Sequence, residues 1–180
     1  LAAAGRSVAA RKPVQSFDSA DPAPLDAEVL AAATGDTPDE VCRPDRSYPL
    51  AMAPPMAAAA LSRQVPSTRQ VVAELAWPPV VDVGLVETVG GIRSPLASDG
   101  DSRALVRALR PDAVLLVADA GLGVIDAVRT AHESLQGERV VTFLNRFDPD
   151  DDLHRRNLDW LRQRDGIHAL VDLGGLAASV

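Results

Sequence analysis

Apolar positions along this chain fall into two kinds of pattern. Five stretches are nearly continuous apolar runs: "SVAARKPV" from Ser7, "PVVDVGLVET" from Pro79, "DAVLLVADA" from Asp112, "RVVTFLNRF" from Arg139 and "IHALVDLGG" from Ile167. Runs of this length bounded by turn residues predict buried strands. Between them the apolar residues recur at helical spacing. "LDAEVLAAATG" predicts a helix ending at Gly35, and "PMAAAALSRQ" one opening on Pro55. "STRQVVAELAW" predicts a helix capped by Ser67, and "GDSRALVRALR", "GVIDAVRTAHESL" and "DDLHRRNLDWLRQRDG" predict three more. The last opens on acidic residues, as the helix dipole favours. "QSFDSADPAP" and residues 36–55 are Pro- and Asp-rich and read as loops. "LAAAG" reads as the last turn of a helix stopped by Gly5, as though the chain began inside an element.

Strand and helix alternate, and the strands are continuous rather than alternating apolar runs. That predicts a single α/β domain over residues 1–180, a mostly parallel sheet with helices on both faces. In such sheets ligands bind at the carboxyl ends of the strands. The positions to inspect are therefore 12–16, 87–91, 119–123 and 145–147.

Composition narrows the picture. The 180 residues are 47% hydrophobic with only 3% aromatics, a core of small aliphatic side chains suited to helices on a sheet. The net charge of −7 argues against nucleic acid as a partner. The one cysteine, Cys42, forms no internal disulfide and no zinc site, so a reducing, cytoplasmic setting is expected. No run of 18 apolar residues is present, so no membrane partner is expected. His132, His154 and His168 have no ligand spacing, and "DPDDD" at 148–152 reads as a solvated helix cap.

The candidate chemistry sits at the strand ends. Lys12 is the only lysine among 18 cationic residues. An ammonium at a carboxyl edge suits an anion as a compact, flexible point charge; the alternative is a solvated strand-end lysine. Glu87 ends an apolar run, where a carboxylate can hold Mg²⁺, and Gly90 and Gly91 follow it, where backbone amides can approach a ligand. The alternative is a strand end with an ordinary turn. Asp26 opens a helix, as a second metal ligand or a first-turn carboxylate on the dipole. Gly121 and Gly123 in "DAGLGVID" can cradle an anion or form a plain strand-to-helix turn. Asn145 can read an adenine edge or cap an element.

Taken in order, "KPVQS", "LDAEVL", "MAPPMAAA", "LVETVGGIRSPL", "VADAGLGVID" and "LNRFD" resemble dethiobiotin synthetase, over residues 5–145. The resemblance implies the P-loop NTPase fold, a three-layer sandwich, and a cytoplasmic homodimer. It implies an ATP- and Mg²⁺-dependent reaction of biotin synthesis, in which 7,8-diaminononanoate and CO2 give a carbamate that ATP phosphorylates before ring closure to dethiobiotin. By residue, it implies that Lys12 contacts substrate and transferring phosphate, and that Asp26 and Glu87 bind Mg²⁺. Ser16, Gly90 and Gly91 would lie beside the substrate. Gly123, Val124, Ile125 and Asp126 would receive the substrate carboxylate across a dimer interface, and Asn145 would recognise adenine. The family's first strand and its G-x-x-x-x-G-K-[ST] loop have no counterpart in these residues. Phe17 replaces a family glycine, Thr88 and Val89 add bulk in "ETVGG", and Asp126 replaces an asparagine. These departures surround the substrate rather than the metal and imply an altered substrate or a paralogue without catalysis. An amide-forming cobyrinate synthetase-like ligase is the further alternative.

Overall fold

The computed structural model describes residue 1 and residues 5–179, so the helical turn expected at "LAAAG" lies mostly outside the described residues. The protein is mixed α/β, with helices around short strands in small sheets. It divides into two compact units, Leu1–Leu109 and Arg110–Val180.

In the first unit, β1 (Val8–Arg11) pairs parallel with β4 (Val83–Val86), with Arg11 opposite Val86. Between them run β2 (Gln15–Ser16), α1 (Asp26–Thr34), α2 (Pro38–Val41), a 3₁₀ turn (Pro44–Arg46), β3 (Ser47–Tyr48), α3 (Pro54–Ala60) and α4 (Thr68–Ala73). After β4 come β5 (Pro95–Ala97), β6 (Gly100–Asp101) and α5 (Ser102–Leu109). Val14, Tyr48, Ala57, Val71, Leu96 and Leu105 form its main core. Complete burial of a leucine such as Leu96 or Leu105 stabilises by about 1.5–3 kcal/mol. A smaller cluster of Ala27, Ala31, Val41 and Cys42 seats α1 and α2. Small side chains there let the two helices lie close to β1.

Residues 36–55 are not the loop their composition predicts. Thr37 accepts from the Glu40 N–H, while the Glu40 carboxylate accepts from the Thr37 N–H at 2.7 Å, a reciprocal cap that starts α2 on Pro38. Arg46 then makes a two-pronged pair with Glu74, at 2.7 and 2.6 Å, fixing the 3₁₀ turn against the end of α4.

In the second unit, β7 (Val114–Asp119) pairs parallel with β8 (Val140–Asn145), in register from Val114–Val140 to Asp119–Asn145. α6 (Val124–Ser134) and α7 (Asp152–Arg164) cover one face through Val124, Val128, Leu158 and Leu161, packed with Leu144, Leu116 and Ala118. The opposite face is open: Leu115 is 42% and Val117 53% exposed. β7 therefore alternates between covered and open positions, where its continuous apolar run predicts burial on both faces. Leu85 of β4 is likewise 40% exposed. The expected final strand reduces to a single parallel bridge from Leu170 to Phe143, and "LGGLAAS" forms α8 (Leu173–Ser179) instead. The Asp172 carboxylate accepts from the Gly175 N–H at 2.7 Å and caps that turn of helix.

Candidate functional site

The site at the carboxyl edge of β1 and β4 follows from strand register. Arg11 and Val86 are partners, and the Glu87 N–H donates to the Arg11 carbonyl at 2.9 Å. Lys12 and Glu87 therefore leave the sheet side by side. Pro13, which has no N–H, follows Lys12 and ends the strand. The Lys12 N–H instead donates to the Val41 carbonyl at 2.8 Å, which turns the chain over α2.

Asp26 reaches the same point because of how α1 begins. Its N-cap, Leu25, has no side-chain acceptor. Gln15 supplies one: its amide oxygen accepts from the Ala27 N–H at 3.2 Å, and its amide nitrogen donates to Ser47 Oγ at 2.8 Å. The Glu28 carboxylate accepts from the Leu25 N–H at 2.8 Å. These bonds satisfy amides that every helix start leaves open, and they fix Asp26 at the first position of α1.

Three groups converge on Lys12. Its Nζ lies 2.7 Å from Asp26 Oδ2 and 2.8 Å from Glu87 Oε1, and donates to the Thr88 carbonyl at 2.9 Å. Two of the ammonium's N–H donors thus have hydrogen-bond acceptors, and Asp26 is its second ion-pair partner. The lysine is only 2% exposed, whereas the carboxylate side chains are 56% (Asp26) and 49% (Glu87) exposed. A buried cation thus faces two solvent-reaching anions, the arrangement that makes burial of an ammonium tolerable. The solvated strand-end lysine is excluded by this burial.

The surroundings are built to hold the strand rigid. Arg11 is buried and donates to the carbonyls of Ala76 and Ala10 at 2.5 and 2.6 Å and to Asp36 at 3.1 Å. Its guanidinium stands over the Trp77 ring, 5.3 Å from the centroid. Burial pushes the Asp36 carboxyl up, but bonds from Thr34, the Ala10 N–H and Arg11 outweigh it and hold the carboxyl below its ordinary range. Cys42 lies under the site, and burial raises its thiol to about 12 despite the nearby Lys12 charge. It is inert as a nucleophile.

Gly90 and Gly91 differ in what they demand. Gly90 has φ +61°, and a Cβ there would come within 2.6 Å of Ser94 Oγ. A Cβ on Gly91 would meet Ser94 Oγ only at 4.0 Å. Gly90 is thus required by the turn itself, and the Ser94 N–H closes that turn on the Gly91 carbonyl at 2.9 Å. Ser16 lies in β2 opposite Tyr48.

The remaining candidates occupy a second carboxyl edge, that of β7 and β8. Asp119 and Asn145 are register partners, and both are exposed. The Gly121 N–H donates to the Asp119 carboxylate at 3.0 Å, and Arg146 pairs with it; together they hold that carboxyl below its usual range. Arg146 has φ +56°, uncommon for a side chain of its size. Gly123 begins α6 with φ +93°. Val124 is buried in the core and Ile125 packs against it, so their side chains are structural. Asp126 is exposed in the first turn of α6. His132 bonds Thr142 Oγ1 at 2.8 Å, and burial lowers its pKa. His154 accepts from the Asp148 N–H at 3.1 Å, and Asp151 caps α7. The histidines and "DPDDD" are accordingly structural or solvated.

Asn157 is the residue that sequence reasoning missed. It is buried on the packed face of α7, and its amide donates to the carbonyls of Ala120 and Gly121, both at 3.0 Å. The available signal was an amide in line with Leu158 and Leu161 on an apolar helical stripe. In the first unit, the signal for Gln15 was equally plain: a helix start whose own cap is leucine needs an acceptor from elsewhere.

Among the described residues, no group of three or more His, Cys, Asp or Glu side chains is arranged to hold a metal. Asp26 and Glu87 are two. Magnesium is usually held by one or two carboxylates together with waters and substrate phosphates, so this donor set fits Mg²⁺ arriving with a nucleotide, and not a metal caged by protein alone. No helix among the described residues is long and apolar enough to cross a membrane. No protein-family model matches this sequence, and no significant match occurs among curated proteins.

Proposed function

We propose that the protein is a dethiobiotin synthetase-like enzyme, catalysing ATP- and Mg²⁺-dependent carboxylation and ring closure of 7,8-diaminononanoate with CO2. One observation carries this reading. The chain's sole lysine meets the two carboxylates singled out as metal ligands, one of them 75 residues away, at a single carboxyl edge. A solvated lysine and a helix-dipole aspartate have no reason to converge in this way.

In this reading Asp26 and Glu87 hold Mg²⁺, which when bound neutralises phosphate charge. Lys12 contributes a point charge beside the reacting groups. Gly90 shapes the turn that follows Glu87. Asn145, exposed at the end of β8, is available to a nucleobase edge. The parallel pairing within each unit, β1 with β4 and β7 with β8, is the pairing that a P-loop NTPase-like sandwich uses; a cytoplasmic homodimer belongs to the same reading. The reading further requires a strand and a phosphate-binding loop that these 180 residues do not contain. The second edge of β4 is unpaired among the described residues, where another parallel strand can add.

The test is product formation by the intact protein from diaminononanoate, ATP, Mg²⁺ and ¹³C-bicarbonate. Labelled dethiobiotin with stoichiometric phosphate release is the expected result. Glu87→Gln should lower kcat by about 100-fold or more while the far-ultraviolet circular dichroism is unchanged. Lys12→Arg should also fail, because a planar guanidinium is not a point charge. A folded, nucleotide-binding protein that makes no dethiobiotin overturns the proposal, as does full activity in Glu87→Gln.

A further inference from the structure

We propose that the Lys12 ammonium and a divalent cation compete for the same two carboxylates. Lys12 would then be the resident counter-cation of the site, released toward the reacting anion when metal arrives. This rests on the reading of Asp26 and Glu87 as metal ligands.

The geometry leaves little room for both cations. Asp26 Oδ2 and Glu87 Oε1 lie 2.7 and 2.8 Å from one nitrogen. They are therefore no more than 5.5 Å apart, the sum of those two lengths. Magnesium binds oxygen at about 2.0–2.1 Å. A metal that takes both oxygens must enter the space the ammonium holds, and like charges at such separations repel strongly.

The contacts of the ammonium point the same way. Its Nζ donates to Glu87 and to the Thr88 carbonyl and forms an ion pair with Asp26 at 2.7 Å. Moving toward a phosphate or carbamate oxygen means leaving partners that now hold it. Metal arrival supplies the reason to leave, because it occupies the carboxylates. The long, flexible lysine stem permits the swing. Until then the ammonium offsets the repulsion between two carboxylates held close together.

The effect of removing the ammonium separates this from a purely cooperative site. Loss of the Lys12 charge leaves two half-exposed carboxylates with no internal partner, and cation affinity rises. If Lys12 only helped to build the site, its loss would weaken the metal.

Two measurements on this chain test the proposal without turnover. The first is Mn²⁺ binding, followed by the electron paramagnetic resonance signal of free Mn²⁺ in the absence of nucleotide. Lys12→Met should bind about tenfold or more tightly than the unmodified protein, and Lys12→Arg should not. The second uses the unmodified protein, so that it stands even where a variant fails to fold. Lys12 is the only lysine, so an amine-acylating reagent reports on it alone once the N-terminal amine is separated by peptide mapping. Lys12 should be labelled slowly, and about tenfold faster when Mg²⁺ saturates the site. Equal Mn²⁺ affinity in Lys12→Met and unmodified protein, abolished in both by Glu87→Gln, would overturn the competition and leave the metal site standing. So would a labelling rate indifferent to saturating Mg²⁺. Mn²⁺ binding that is absent, or unaffected by Glu87→Gln and Asp26→Asn, would overturn the metal site and the competition together.

Discussion

Asn157 offers a test of how the second unit holds its carboxyl edge. Its amide donates to two carbonyls of the turn after β7, and Ala120, which carries one of them, is completely buried. Asn157→Leu keeps the branching and number of side-chain heavy atoms and removes both donors. Each bond contributes about 0.5–1.5 kcal/mol, and a buried acceptor left unsatisfied costs about 1–3 kcal/mol. One carbonyl is fully buried and the other is half-reached by water, so the expected loss is about 2–4 kcal/mol. Asn157→Asp should cost more at neutral pH, because a carboxylate would face two carbonyl acceptors with nothing to donate. Its pKa in the folded protein would be raised by burial. The sign follows: a carboxyl with a raised folded pKa is tolerated below its unfolded value of about 3.9 and destabilises as pH rises through the folded one. Asn157→Asp should thus approach Asn157→Leu in stability at low pH and fall below it at neutral pH. Urea denaturation followed by circular dichroism, with Trp160 on the same helix as a fluorescent probe, measures both series. Loss of less than about 0.5 kcal/mol in Asn157→Leu, the size of an ordinary surface change, would refute the claim that this amide holds the turn.

Other expectations follow from single residues. Gly90→Ala should destabilise by about 1–3 kcal/mol, since φ +61° and the close Ser94 hydroxyl both oppose a Cβ, whereas Gly91→Ala should be near neutral in the same urea titration. Cys42, buried with its thiol raised to about 12, should resist a thiol reagent at pH 8 and react fully only once urea unfolds the chain. The Asp36 carboxyl is depressed by hydrogen bonds and Arg11, so its stabilisation is present above the unfolded pKa of about 3.9 and is lost as pH falls through the folded one. The stability difference between unmodified protein and Asp36→Asn should therefore shrink as pH drops from about 5 to about 2.

Much of the local structure was legible in the sequence. Gly35, Ser67 and Asp151 mark helix ends by short-range chemistry: a left-handed cap, a hydroxyl acceptor and a carboxylate acceptor. The same holds for the strand cores at 83–86, 114–119 and 140–145, whose apolar runs have no helical spacing. The strand ends marked out Lys12 and Glu87, because a polar residue closing an apolar run must leave the sheet at its edge. Thr37 to Glu40 carried a capping signature as well, hidden in a stretch whose prolines and acids suggested a loop.

What only the tertiary structure decided is who meets whom. Sequence spacing does not say that Asp26 would turn onto Lys12; that depends on Gln15 capping a helix whose own cap is leucine. Nor does it say that the Lys12 ammonium is buried against two carboxylates and a carbonyl, since burial is set by α2 folding over the end of β1 and by the Val41 carbonyl. An apolar run shows that a strand prefers to leave water, yet Leu115 and Val117 stay exposed because helices cover only the other face of β7. Hydrophobic pattern and cap chemistry act over a few residues and are written locally. Pairing of charges, the supply of distant donors and the covering of a sheet face depend on chain segments far apart in sequence, and only the folded chain brings them together.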